Sequence, residues 1–109
     1  MAYNALLEEK LDLLAPKFGE FTKKKMFGGL SYLYQGNMAF GVMKDDMMLR
    51  CAKDATDKLA EDQYIRTFEM RGKKMEGWLL VSPAIWEDAD GLEQMMRIGW
   101  EYVLALPAK

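Results

Sequence analysis

The chain predicts a two-layer α+β domain, an antiparallel sheet of about five strands with two long helices on one face and one short helix besides. Three observations carry this reading. Apolar stripes at helical spacing stand near both ends of the chain: Leu7, Leu11, Leu14 and Phe18 first, then Leu92, Met95, Met96, Gly99, Trp100 and Val103. Between them lie short alternating runs separated by polar turns, as in a meander of hairpins. The 109 residues, 50% of them hydrophobic, suffice for one core without staples.

The elements follow in order. Asn4 caps the first helix, which Pro16 and Gly19 bring to its end. Lys23, Lys24 and Lys25 then read as a solvated strand entrance before Met26 and Phe27. The pair Gly28-Gly29 predicts a positive φ or a close approach by another backbone. In the strand that follows, Leu30, Tyr32 and Tyr34 share one side and Ser31 and Leu33 the other. Gln35-Gly36-Asn37 is a turn. Strict alternation sets Met38, Phe40 and Val42 against Ala39, Gly41 and Met43. Lys44-Asp45-Asp46 turns into a third strand from Met47 to Cys51. Asp54 starts a short helix that runs to about Glu61. Tyr64 to Met70 is a fourth strand, Arg71-Gly72-Lys73-Lys74 a turn, and Met75 to Val81 a fifth strand. The run Trp78-Leu79-Leu80-Val81 is apolar on both faces, so it is expected to be covered on both. Ser82 to Trp86 is a connection, Asp88 or Asp90 caps the last helix, and Pro107 closes it.

Composition excludes several chemistries. With no histidine and one cysteine, Ser-His-Asp and Cys-His catalysis cannot be assembled, nor can a Cys/His zinc site within one chain. No phosphate-cradling glycine loop occurs. A formal charge of −2 argues against a dedicated nucleic-acid binder. No apolar run spans a bilayer, no leader pattern opens the chain, and a lone Cys51 suits a reducing compartment, so the expected location is the cytoplasm. No cofactor and no metal are expected.

Several candidate sites remain. Lys23, Lys24 and Lys25 would join Arg71, Lys73 and Lys74 in one basic patch for phosphate or an acidic partner; exposed lysines are commonly just solvated. Tyr32, Tyr34 and Phe40 would form a base-stacking platform, though aromatics at strand spacing usually belong to a core. Cys51, with Arg50 and Lys53 nearby, would be a reactive thiol; the plainer reading is a buried one. Asp45-Asp46 and Asp88/Asp90 lack calcium-loop spacing and read as turn and cap residues. Ten methionines fill irregular cores, and they also line adaptable surfaces. Because several strands are apolar on both sides, a homodimer face of Leu33, Met43, Met48, Leu79 and Val81 is expected, with Ala39 beside it.

The ordered set Lys25-Met26-Phe27-Gly28-Gly29, Gly36-x-x-Ala39-Phe40, Leu49-Arg50-x-Ala52-x-Asp54 and Trp78-Leu79-Leu80-Val81-Ser82-Pro83 resembles the TfoX N-terminal-domain family, from about Phe18 to Leu106. The resemblance implies a secretion-chaperone-like α+β architecture and a link to competence regulation. Longer members carry a helical C-terminal domain, and this chain is expected to be the stand-alone N-terminal one, a single domain over residues 1–109. The function expected is a non-enzymatic regulatory or protein-interaction domain with an unidentified protein partner. The alternative is a weak nucleic-acid-binding accessory using the basic patch.

Overall fold

In the computed structural model the described residues are 3–26 and 28–108. They form a six-stranded antiparallel sheet in the order β1-β2-β3-β4-β6-β5. The strands are β1 (Thr22–Met26), β2 (Gly29–Tyr34), β3 (Asn37–Met43), β4 (Asp46–Arg50), β5 (Ile65–Met70) and β6 (Lys73–Val81). The helices are α1 (Ala5–Leu14), α2 (Thr56–Leu59), α3 (Pro83–Trp86) and α4 (Ala89–Leu104). The two-layer α+β class stands, with one strand more than the sequence suggests.

The extra strand is the lysine run itself. Lys23, Lys24 and Lys25 pair with Tyr32, Ser31 and Leu30. Three consecutive lysines show no alternation, so the run does not look like a strand. At a sheet edge it needs only one hydrogen-bonded neighbour, and edge lysines deter pairing with other chains.

Local signals place the helix ends. The Asn4 side chain accepts the N–H of Leu7 at 3.0 Å, and Asp88, not Asp90, accepts the N–H of Gly91 at 2.8 Å. Ser82 accepts the N–H of Ala84 and starts the single turn of α3, where the sequence suggests only a connection. The 3-10 turn Lys53–Ala55 leads into an α2 that ends at Leu59, shorter than expected. Gln35 and Gly36 have φ of 50° and 86°, and Arg71 and Gly72 have 54° and 78°. Both pairs therefore make two-residue turns, whose positive φ angles give a twist that matches the right-handed twist of the flanking strands. Lys73 and Lys74 belong to β6.

All four helices feed one cluster. Leu7 and Leu11 of α1, Leu59 of α2, Trp86 of α3 and Leu92, Met96 and Val103 of α4 meet Leu30, Tyr32, Phe40, Val42, Met47, Leu49, Leu79 and Val81. Gly99 lets α4 sit directly on β3: a Cβ there would lie 2.4 Å from the Ala39 carbonyl oxygen.

Two irregularities change which residues face which way. Tyr32 pairs with Phe40 but Leu33 with Met38, leaving Ala39 as an extra residue in β3. Ala39 thereby joins the helix-side core, fully buried, and Met38 moves to the other face with Leu33. On the opposite half of the sheet, Thr67 pairs with Leu79 and Glu69 with Lys74, so β6 bulges. The bulge turns at Gly77, φ 90°, whose N–H donates to Thr56 Oγ1 at 2.7 Å and whose carbonyl accepts the Cys51 N–H at 2.9 Å.

Candidate interaction site

The six basic residues do not form one patch. Lys23–Lys25 lie on one edge strand, while Arg71, Lys73 and Lys74 lie on the β5–β6 hairpin at the other side of the sheet. From β1 to β6 there are four strand spacings, roughly 19 Å at ~4.8 Å each. The sequence could not reveal this, because strand order is a long-range property.

Lys23 is already occupied. Its Nζ donates to Glu8 Oε2 at 2.6 Å and to Asp12 Oδ2 at 3.0 Å, and lies 5.6 Å from the centre of the Tyr32 ring. Desolvation pulls the Lys23 pKa down, but the hydrogen bonds and charges of Glu8 and Asp12 outweigh it and raise the pKa overall. The Tyr32 hydroxyl donates to Asp12 Oδ1 at 2.6 Å. Burial first, then the Asp12 carboxylate, push the Tyr32 phenol well above its ordinary range. This group clamps α1 to β1 and β2. Lys74 is likewise paired, 2.6 Å from Asp57 Oδ1, which ties the β5–β6 hairpin to α2. Lys24, Lys25, Arg71 and Lys73 are exposed.

The Met26-Phe27-Gly28-Gly29 motif is a strand junction. Met26 pairs with Gly29, Gly28 has φ 76°, and a Cβ on Gly29 would stand 2.2 Å from the Val42 carbonyl oxygen. Each of the two expected reasons for glycine thus holds at a different residue. Phe27 lies outside the described residues.

The sheet face turned away from the helices has a different composition from the one expected. Ser31, Gly41, Met48 and Leu80 form one cross-strand row over β2, β3, β4 and β6. Leu33, Met38 and Met43 stand beside it. None of these seven belongs to the helix-side cluster. The Met38 terminal methyl lies over Gly41, 2.9 Å from where a Cβ would be. Met38 and Met48 are buried, while Leu33, Met43 and Leu80 are half-buried. Leu79 and Val81, expected here, are instead fully buried on the helix side, opposite Leu49 and Met47. The expected alternation within Trp78–Val81 is correct, but its sides are reversed. Trp78 and Leu80 face away, and Arg50 stacks 5.1 Å from the Trp78 ring and 5.2 Å from that of Tyr102.

Cys51 is buried beside Thr56, 3.9 Å from its hydroxyl. Burial raises its thiol pKa more than the Thr56 hydrogen bond lowers it, which makes the nucleophilic thiolate scarce. Asp45 and Asp46 are turn and pairing residues: the Asp45 carbonyl accepts the Trp86 indole N–H at 3.0 Å, and the Asp46 carboxylate pairs with Arg66. Among the described residues no group of three or more acidic or sulfur side chains is placed to hold a metal ion. No described helix is long and apolar enough to cross a membrane.

Of the three proposed stacking aromatics, Tyr32 and Phe40 are buried in the core. Tyr34 is half-exposed and joins Phe18, Phe21 and Trp100 at one corner of the domain, with its ring centre 4.6 Å from that of Trp100. Sequence reasoning did not connect these four rings. Phe18 and Trp100 carried a helical period and Tyr34 a strand alternation, each within its own element, and Phe21 carried no periodic signal.

No curated protein matches the chain. The TfoX N-terminal domain matches over residues 12–102. That span runs from the Asp12 that clamps Lys23 and Tyr32 to the Tyr102 that stacks on Arg50, and it includes all six strands. The chain belongs to the TfoX N-terminal domain family.

Proposed function

We propose that this protein is a non-enzymatic regulatory domain that acts by protein contact, first with a second copy of itself. The observation that carries this reading is the apolar helix-free face, with Leu33, Met43 and Leu80 half-buried around Met38 and Met48. A solvated face of a two-layer sheet normally alternates to polar side chains. Here the polar residues stand at the margins, with Lys24 at one end of the Ser31–Leu80 row and Arg66 at the other. An apolar centre with a charged rim is the usual anatomy of an interface. Two-fold self-association is the commonest way to cover such a face. Family membership supports a role in regulation, with a link to competence; the lone cysteine suits a reducing compartment such as the cytoplasm.

Sedimentation equilibrium at micromolar protein tests the reading, with a dimer of 12.6 kDa chains expected. Leu80→Lys and Met43→Lys should each weaken the dimer, while Glu9→Lys on the exposed side of α1 should not. A single species at the monomer mass would refute self-association. Leu79→Lys is not a fair test, because it would place an ammonium in the core.

A further inference from the structure

The corner where Phe18, Phe21, Tyr34 and Trp100 meet is a cleft of about 600 Å³, and of the described residues lining it Glu20 is the only charged one. Trp100 is the hub. Its ring centre lies 6.3, 5.5 and 4.6 Å from those of Phe18, Phe21 and Tyr34, at interplanar angles of 54°, 65° and 73°. None of these pairs is stacked face to face, so the rings stand at steep angles to one another and wall the cleft from several directions. Gly19 fixes one wall: a Cβ there would lie 2.6 Å from the Trp100 ring, so only glycine allows this approach. The four aromatic residues are half-buried, which keeps their rings both ordered and reachable.

The charge of the cleft sets its ligand. An aromatic face is electronegative and attracts cations, most strongly those with weakly held hydration. Glu20 adds a full negative charge, and it enters none of the ion pairs formed among the described residues. The two lysines nearest in sequence are engaged elsewhere, Lys23 by Glu8 and Asp12 and Lys17 by Glu93 at 3.7 Å. Phe18 already attracts a cation of this chain, Arg97, whose guanidinium carbon is 5.3 Å from the ring. Glu93 pairs with Arg97 at 3.8 Å and offsets its charge. An anion would meet the Glu20 carboxylate and the aromatic walls, and a neutral ligand would gain nothing from the Glu20 charge.

We propose that this cleft binds an organic ammonium group, methylated in preference to primary, with the rings of Trp100, Tyr34 and Phe21 around the cation and Glu20 as its counter-charge. A free choline-type molecule and a methylated lysine side chain of another protein present the same chemistry. This proposal does not depend on the sheet face, which lies on the opposite side of the sheet from these aromatic residues.

The test is a titration of the full chain with choline, and with its neutral isostere 3,3-dimethylbutan-1-ol, followed by NMR of the indole and aromatic signals. Choline should shift the Trp100 indole N–H and the Tyr34 ring, leave the Trp86 indole unmoved, and bind about tenfold more tightly than the alcohol. Glu20→Gln changes an exposed side chain and should fold normally; it should abolish most of that preference. Trp100→Phe should weaken binding further, but it also perturbs packing, so Glu20→Gln is the deciding variant. Titration with Nα-acetyl-trimethyllysine amide separates the sources: tighter binding than choline assigns a protein side chain, and weaker binding assigns a free small molecule. Equal affinity for choline and the alcohol, no shift at Trp100 up to tens of millimolar choline, or an unchanged preference in Glu20→Gln would each overturn the proposal.

Discussion

Replacing Gly29 by alanine would place a methyl carbon 2.2 Å from the carbonyl oxygen of Val42, and the obstacle is the backbone of a central strand. No rotamer change relieves such a clash. Either β2 and β3 move apart, or Gly29 leaves its pairing with Met26. Overpacking of this kind costs about 1–3 kcal/mol, and a backbone hydrogen bond lost with it adds about 1 kcal/mol. Gly28, one residue earlier, is a different case. It is exposed, nothing lies within 4 Å of its absent Cβ, and only its φ of 76° disfavours a side chain. Alanine there pays the left-handed penalty of about 1–2 kcal/mol, partly offset by a stiffer unfolded chain. Asparagine, which tolerates that region, should cost less still. The four variants Gly28→Ala, Gly28→Asn, Gly29→Ala and Gly29→Asn can be compared by urea denaturation. With a slope of about 1–3 kcal/mol/M, the Gly29 variants should lower the midpoint by roughly 1 M or more, and Gly28→Asn by a few tenths. A Gly29→Ala midpoint equal to wild type, or equal damage from asparagine at both positions, would refute the close-approach argument.

Tyr32 keeps its proton in the folded state at pH values where an unfolded tyrosine, pKa 10.0, ionises. Its contribution to stability is therefore intact below pH 10 and is lost as pH rises above it. In an ultraviolet titration one of the five tyrosines should resist ionisation until the protein unfolds, and Tyr32→Phe should remove that late step. The Cys51 thiol should react with a disulfide reagent only as fast as the fold opens; labelling within seconds in native buffer would contradict its burial. Nucleic-acid binding, if measured by gel shift, should be weak and vanish at moderate salt, because Lys24 and Lys25 lie far across the sheet from Arg71 and Lys73. Sub-micromolar binding that survives such salt, and is lost in Lys24→Glu/Lys25→Glu, would reverse that view.

Linear pattern determined the two long helices, their caps, the hairpin turns and the five apolar strands. Each of these is governed by residues within a few positions of one another: Asn4 with Leu7, Gln35 with Gly36, the 3.6-residue stripe from Leu92 to Val103. The ordered glycine, aromatic and proline landmarks were also enough to place the family. Tertiary structure decided what depends on distant partners. Three lysines became a strand because β2 offered an edge and because Glu8 and Asp12 were waiting on α1. Ala39 turned inward because one extra residue in β3 reversed the alternation, a shift that no period-2 reading of an apolar run reveals. The sequence likewise showed that Trp78–Val81 is apolar on both sides, but only the register with β4 chose Leu79 and Val81 for the core and Leu80 for the open face. The aromatic corner brings Phe18 and Phe21 to Tyr34 and to Trp100, far apart along the chain. That meeting depends on where α4 crosses the sheet, and the crossing depends on a glycine, Gly99, fitting against Ala39.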